Sequence, residues 1–323
     1  MYKYILKRVL LMIPVLLCII VIVFSLMELV PGDPALALLG ESASDEAIAA
    51  MHAKYGLDRP FLVRLGDTIL NICRGNFGTS YITQRSVLSE ILTRYPTTMK
   101  LVLSSALLGL LIGVIGGIVS AVKQYSVWDR VFTIFSLFGV SAPSFWVAML
   151  LVYLFSVKAN ILPPSGTYGF EYWILPVFTL GLQASAYIMR MTRSSMLEVI
   201  RQDYIRTARS KGQTEFRTVM HHAFRNSLLP VLTAFGVQFC NLLAGTVMVE
   251  TIFSIPGISK FLIDSVNKKD FPCVIGVVVW IAINCVVVNL LIDIIYCVVD
   301  PRIKTQYQSG KKKKRVEGGE KVA

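Results

Sequence analysis

The chain has 323 residues, of which 54% are hydrophobic and 16% charged, with a mean hydropathy of +0.63. A soluble domain carries roughly 25% charged residues, so this composition excludes an ordinary water-soluble protein and points to a lipid solvent. Lys and Arg outnumber Asp and Glu by 32 to 20, a net charge of +12 that suits either a nucleic acid or a membrane surface.

Six long apolar runs predict six transmembrane helices. The first, 9–30, follows Lys3, Lys7 and Arg8, and Ala35-Leu36-Ala37 mimics a signal-peptidase site. Its apolar stretch of about 19 residues before Glu28 exceeds the 7 to 15 of a signal core, which predicts a retained helix. Residues 31–98 form the largest polar segment, with helix-like apolar spacing near 47–51 and 61–69 and too few residues to hold much core. In the second run, 99–122, Ser105, Gly109, Gly113, Gly117 and Ala121 recur every four residues, the spacing of a close helix-packing seam. The third run is 131–157 and the fourth, 173–188, is the shortest. Pro143 and Pro176 in them should bend or open the helix, which serves a pathway or an ordinary packing kink. The fifth and sixth runs are 228–249 and 274–299.

With the N-terminus in the cytoplasm, about two thirds of the 32 basic residues fall on segments 1–8, 123–130, 189–227 and 300–323. Both termini are therefore expected inside. Anionic headgroups account for the basic surplus without a nucleic acid, and 305–323 reads as a basic, disordered tail.

Between the fourth and fifth spans lies a basic loop, 190–227. Phe216, Val219, Met220, Ala223 and Phe224 have the spacing of one apolar helix face, and 196–211 carries a second helical pattern. Gly212 is a natural stop between them and Thr214 a candidate N-cap. Such a helix, turn, helix could lie on headgroups or transmit motion from a partner into the spans.

The residues here carry a resemblance. Asp203-Tyr204-Ile205-Arg206-Thr207-Ala208-Arg209-Ser210-Lys211-Gly212, then His222-Ala223-Phe224-Arg225-Asn226-Ser227-Leu228-Leu229-Pro230, resembles the coupling loop of binding-protein-dependent ABC importer permeases, in their dipeptide, oligopeptide and nickel branch. Pro31-Gly32-Asp33-Pro34, Gly75-Asn76-Phe77-Gly78-Thr79-Ser80, Ser141-Ala142-Pro143-Ser144-Phe145-Trp146, Glu250-Thr251-Ile252-Phe253-Ser254-Ile255-Pro256-Gly257 and Asp300-Pro301-Arg302 are similar to that branch too, in order and nearly end to end. Where the wider permease motif opens Glu-Ala-Ala, this chain has Arg206-Thr207-Ala208; Ile275 also stands where the branch often has a polar residue.

The resemblance implies an all-α integral membrane protein with the type I ABC importer permease fold. It would divide into a first helix (1–30), an extracytoplasmic loop domain (31–98), a five-helix core (99–304) with its coupling loop (190–227), and the tail. It implies half of a translocation pathway for peptides or a similar small solute. The partners implied are a paralogous permease in a heterodimer, two ABC ATPase subunits that hold ATP and magnesium, and an extracytoplasmic solute-binding protein. A coupling helix at about 200–211, freed by Gly212, would dock on the ATPase, with Asp203, Tyr204, Arg206, Thr207, Ala208, Arg209, Arg225 and Asn226 around it. Glu250, Phe253, Pro256, Gly257 and Asp293 are the candidate pathway or gate residues.

No phosphate-binding loop is present, since Gly310-Lys311-Lys312 lacks both the spaced partner glycine and the Ser or Thr for magnesium. Thus no nucleotide cofactor and no metal are expected on this chain, and it is not expected to be an enzyme. His52, His221 and His222 do not form a ligand set. Among the acids in or beside spans, Glu28 and Glu250 lie near span ends and could reach headgroups, whereas Asp293 lies deeper and suits a water-lined path or pairing between helices. Of six cysteines, only Cys73 and Cys273 fall where an oxidant could join them. The rival class is a self-sufficient secondary transporter or channel, which needs an ion site near the midplane.

Overall fold

A computed structural model describes residues 2–40 and 42–299, with side chains for 10–40 and 42–296. Lys3, Lys7, Arg8, Cys297, the Asp300-Pro301-Arg302 motif and the basic tail lie outside the described side chains. Among the described residues the chain is helical, with one isolated antiparallel bridge between Thr79 and Ser86.

Helix α1 (Tyr2–Leu29) is the first span. Three short helices follow: α2 (Pro34–Leu39), α3 (Asp45–Tyr55) and α4 (Phe61–Cys73). The helix-like spacing of the polar segment is realised in α3 and α4; α2, started by Asp33 with Pro34 in its first turn, had gone unread. Asp33 accepts from Ala35 N–H at 2.8 Å and from His52 at 2.7 Å. Burial pushes the Asp33 carboxyl up, but the His52 and Ala35 bonds outweigh it and leave the group below its ordinary value.

The second span is longer than its apolar run. Helix α5 covers Val87–Val122, 36 residues or roughly 54 Å at 1.5 Å per residue, so it outruns a hydrocarbon core of about 30 Å. Its extra turns, 87–98, belong to the polar segment; there Val87 and Ile91 pack on Ile258, Cys273 and Val277. Gly75 and Gly78 turn the chain at φ +77° and +81° just before it. Ser80 and Tyr81 N–H then both bond the Asp270 carboxylate, which fastens the polar layer to the turn before the last span.

The run 131–157 is not one straight span. Helix α6 (Val127–Ser141) stops at Ala142-Pro143, and α7 (Ser144–Leu151), continued by a π-helical turn Val152–Lys158, leaves at 109° to it. Pro143 has no N–H to offer and excludes the α conformation from the residue before it; Ala142 is extended, at φ −74°, ψ 127°. Pro176, by contrast, lies inside an unbroken helix, α8 (Glu171–Ile200).

The loop expected at 190–227 is mostly helix. α8 runs through it to Ile200, and a short α9 (Asp203–Ser210) follows. Then α10 (Glu215–Arg217), a π-helical segment Thr218–Phe224 and α11 (Arg225–Ile252) form one rod, leaving only 201–202 and 211–214 outside helices. Helix α12 (Ile258–Asn267) folds back beside the far end of α11, and α13 (Phe271–Val299) is the last span. By length and composition five of the described helices can cross a membrane, and up to six where the bent α6–α7 pair counts as one span. Cys73 is an exposed thiol and Cys273 a buried one, so the two are not joined.

The centre of the bundle is the α5–α8 seam. A Cβ on Gly113 would lie 2.8 Å from Ile188 Cβ and 2.9 Å from Ser185 O; on Gly109 it would lie 2.8 Å from Ala184 Cβ; on Gly117, 2.8 Å from Met189 O. Only hydrogen fits there, and the backbones approach accordingly.

Candidate functional site

Two regions gather the residues singled out by the sequence. The first is the end of the bundle carrying α9. Its inward side chains, Ile205 and Ala208, pack with Met196 of α8, Ala121 at the end of α5, and Val219 and Ala223 of the π segment. Three long helices therefore converge under one short one. The other side of α9 faces outward: Asp203, Arg206, Thr207 and Arg209 are exposed, and so is Tyr204.

Gly212 ends this helix at φ +76°, with nothing within 4 Å of where a Cβ would stand. Its N–H reaches Arg209 O and the next N–H, of Gln213, reaches Ala208 O. These bonds close the helix end in the left-handed conformation that glycine adopts at least cost. Thr214 Oγ1 accepts from Arg217 N–H and starts the following rod. Arg209 bridges the turn by donating to both Glu215 carboxylate oxygens at 3.1 and 2.7 Å, which raises its pKa further; His222 meets Gln213 at 2.7 Å. Arg225 and Asn226 are exposed on the rod, Asn226 bonding its own helix at His222 O.

The expected apolar face of 216–224 is split. Val219 and Ala223 are buried, but Phe216 is 78% exposed and Met220 is exposed as well. Met220 lies in the π-helical segment, whose wider turn breaks the register of an α-helical face, and Phe216 precedes it in α10.

A neighbouring clasp was missed from the sequence. Arg193 of α8 donates to both carboxylate oxygens of Asp129, at 2.8 and 3.0 Å, and Asp129 also accepts from Ser120 and from Tyr125 N–H. It ties α5, α6 and α8 together at the α9 end. Residues 64 apart give no pairing signal in one sequence; the hint was an acid and an arginine kept within otherwise apolar helices.

The second region is the far end of α11. Glu250 and Phe253 are buried, so neither reaches headgroups nor lines an open path in this conformation. Thr98 of α5 donates to Glu250 Oε1 at 2.7 Å and Lys260 N–H to Oε2 at 2.8 Å; Ile258 N–H in turn donates to Thr98 Oγ1 at 2.9 Å. The carboxylate thus holds the first turn of α12, where the N–H groups of a helix await acceptors. Gly257 is buried, a Cβ there would strike that carboxylate, and Pro256 is exposed beside it. Of the other acids, Glu28 pairs with Arg64, and Asp293 is half-buried on α13.

The structure is thus an all-helical membrane bundle with a short basic helix set under three of its long ones. The family model described as "Binding-protein-dependent transport system inner membrane component" matches residues 113–305, and the N-terminal model of the same system matches 1–102. The chain is 38% identical over 304 residues to the glutathione transport system permease protein GsiC of Salmonella choleraesuis, covering 94% of this chain and 99% of that protein. It is 40% identical over 312 residues to a putative peptide transport system permease protein of Brucella abortus, with the same coverage. Among solved structures, an inward-facing MetNI methionine ABC transporter superposes with a TM-score of 0.53 at 17% identity, over 66% of this chain and 97% of that one. An amino acid ABC transporter gives 0.52 at 17%, over 64% and 93%; at such identities the likeness is of fold. The chain belongs to the binding-protein-dependent transport family: it is a multi-pass permease subunit of an ABC importer in the cytoplasmic membrane.

Proposed function

We propose that this permease forms half of the pathway for small peptides, as a heterodimer with a paralogous permease. The 94% coverage by relatives named for glutathione and peptide transport is the observation that carries the peptide assignment. Of the two ATPase subunits, one docks on the exposed side of α9 in the cytoplasm and the other on the partner permease; a solute-binding protein docks over α2–α4 and α12 on the outside, with both termini of the permease inside. ATP and magnesium reside in the ATPase subunits; this chain supplies motion and passage, with no catalytic residue of its own. Asp203, Tyr204, Arg206 and Arg209 make the ATPase contact, while Glu250 and Gly257 govern the outer corner from behind, by fixing α12.

The test is reconstitution in liposomes. Labelled dipeptide should accumulate only with the partner permease, the ATPase subunits, the binding protein and ATP. Uptake by this chain alone under a proton or sodium gradient would refute the reading in favour of a secondary transporter.

A further inference from the structure

The rows of side chains that the membrane helices leave exposed are not alike. On α5 the row is Leu103, Leu107, Leu111 and Ile115, and on α13 it is Val287, Leu291 and Ile295, large aliphatic residues at every fourth position. Such rows suit hydrocarbon. On α11 the exposed row runs through Thr233, Val237, Asn241, Gly245, Met248 and Thr251, at spacings of three or four residues. Only Val237 and Met248 in it are large and apolar, and from Asn226 to Val249 the helix carries no charged side chain.

Asn241 stands about 4 Å from the middle of the apolar run 228–249, at the depth of the hydrocarbon core. Its exposed carboxamide makes no hydrogen bond among the described residues, and neither does that of the half-buried Gln238 a turn before it. An amide turned to acyl chains forfeits its hydrogen bonds, whereas water or a polar solute restores them. Helix α13 borders the same row with a polar face of its own. Asn289, Asp293 and Tyr296 follow one another there at helical spacing, apart from the aliphatic row; the Tyr296 hydroxyl meets Thr233, and Asn289 Nδ2 lies 3.8 Å from Cys240 Sγ. Asn289 is exposed and its amide oxygen accepts nothing among the described residues, while Asp293, the carboxylate of this face, is half-buried.

We propose that the exposed row of α11, with Asn289 of α13 beside it, is this chain's wall of the solute passage, and that Asn241 and Asn289 hold a crossing peptide by its main-chain amides. A carboxamide offers a donor and an acceptor, the same pair as a peptide group, so the two can bond reciprocally. The row carries no fixed charge that would select or trap one side chain. Next to Asn241, Ala244 and Gly245 are exposed, and nothing lies within 4 Å of where a Gly245 Cβ would stand, which leaves a recess for side chains of different sizes. The peptide as occupant rests on the function proposed above; the passage rests on the unpaired amides at hydrocarbon depth.

The test begins with a readout that contains no transport step. The complete importer, in nanodiscs open to both sides and turning over ATP, is treated with a charged thiol reagent that does not enter lipid, and adducts on this chain are counted by mass. Asn241→Cys should gain one adduct over the wild-type chain, at a rate slowed by excess dipeptide, while Leu107→Cys on the aliphatic row of α5 should gain none. Gly245→Cys carries the same test if Asn241→Cys does not assemble. No gain at either position, in complexes that still hydrolyse ATP, would mean that lipid or a close-packed partner permease covers the row, and would overturn the proposal. In liposomes, Asn241→Leu and Asn289→Leu should each slow dipeptide uptake by about three- to tenfold, as expected for one neutral hydrogen bond, with the partner subunits still attached. Unchanged uptake by both would overturn the peptide contact. A wild-type complex that takes up no dipeptide, although Asn241→Cys is labelled, would refute the peptide reading and support the passage.

Discussion

Truncating Glu250 to Ala tests whether the far end of α11 is held as its geometry indicates. The carboxylate accepts from Thr98 Oγ1 and Lys260 N–H at 2.7 and 2.8 Å, at a site with no solvent exposure. Hydrogen bonds to a charged group contribute about 1.5–3 kcal/mol each, so losing two and stranding their donors should cost roughly 3–6 kcal/mol. Gln cannot substitute fully, because its amide nitrogen would face one of the two donors. Gly257→Ala attacks the same contact from the other side, by driving a Cβ into the carboxylate. Each substitution alone should lower the thermal midpoint of the detergent-purified protein and raise amide exchange across 254–262. Combined, they should cost clearly less than their sum, since Glu250→Ala removes the group that the new methyl strikes. Additive costs, or unchanged exchange in α12, would mean that the carboxylate does not hold this helix.

Three further outcomes are expected. Gly113→Ala should destabilise by about 1–3 kcal/mol, because its Cβ meets Ile188 and the Ser185 carbonyl below 3 Å, whereas Gly245→Ala, with nothing within 4 Å, should be neutral or slightly stabilising; equal thermal midpoints for the two would refute the seam. Asp129→Ala should cost about 3 kcal/mol by stranding Arg193, and the charge-free double variant with Arg193→Leu should recover part of that in the same melt; no recovery would place the cost elsewhere. Gly212→Asp, forced to φ +76° with a carboxylate at the negative end of α9, should lose roughly 1 kcal/mol locally. It should still insert and pair with its partner permease yet lose ATPase co-purification or solute-stimulated hydrolysis; normal values of both with transport abolished would move this loop into the solute path.

Punctuation and lipid preference were the legible parts of this sequence. Gly212 and Thr214 mark the turn between α9 and the rod because only particular residues suit those backbone positions. Hydropathy located every span but stopped at the first charge: α8 continues to Ile200 through Arg190 and Arg193, and Arg193 is accommodated by Asp129. Pro143 announced a break, but its angle of 109° depends on what α7 packs against. The π segment left no mark in composition, so Phe216 and Met220 read as part of one apolar helix face with Val219 and Ala223, whereas they are exposed and those two are buried. Glu250 looked like a residue at a surface because it ends an apolar run. Its burial follows from Thr98 and the first turn of α12 returning to meet it, contacts 152 residues and 10 residues away in sequence.

The same packing explains how a push on α9 could be felt at the opposite end. Ile205 and Ala208 press on the ends of α5, α8 and the rod at once, so α9 has no single neighbour that could yield alone. α5 and α8 are joined along three glycines whose contacts leave no slack, which makes them one body. The rod from Glu215 runs without a break to Glu250, roughly 50 Å at the helical rise, and there Glu250 bonds both α5 and α12. On the importer reading, motion delivered by an ATPase therefore reaches α12 as tilting of whole helices, and the two ends should fail in different ways. Variants at Gly212 should separate the permease from its motor, while variants at Glu250 should leave the motor attached and α12 loose.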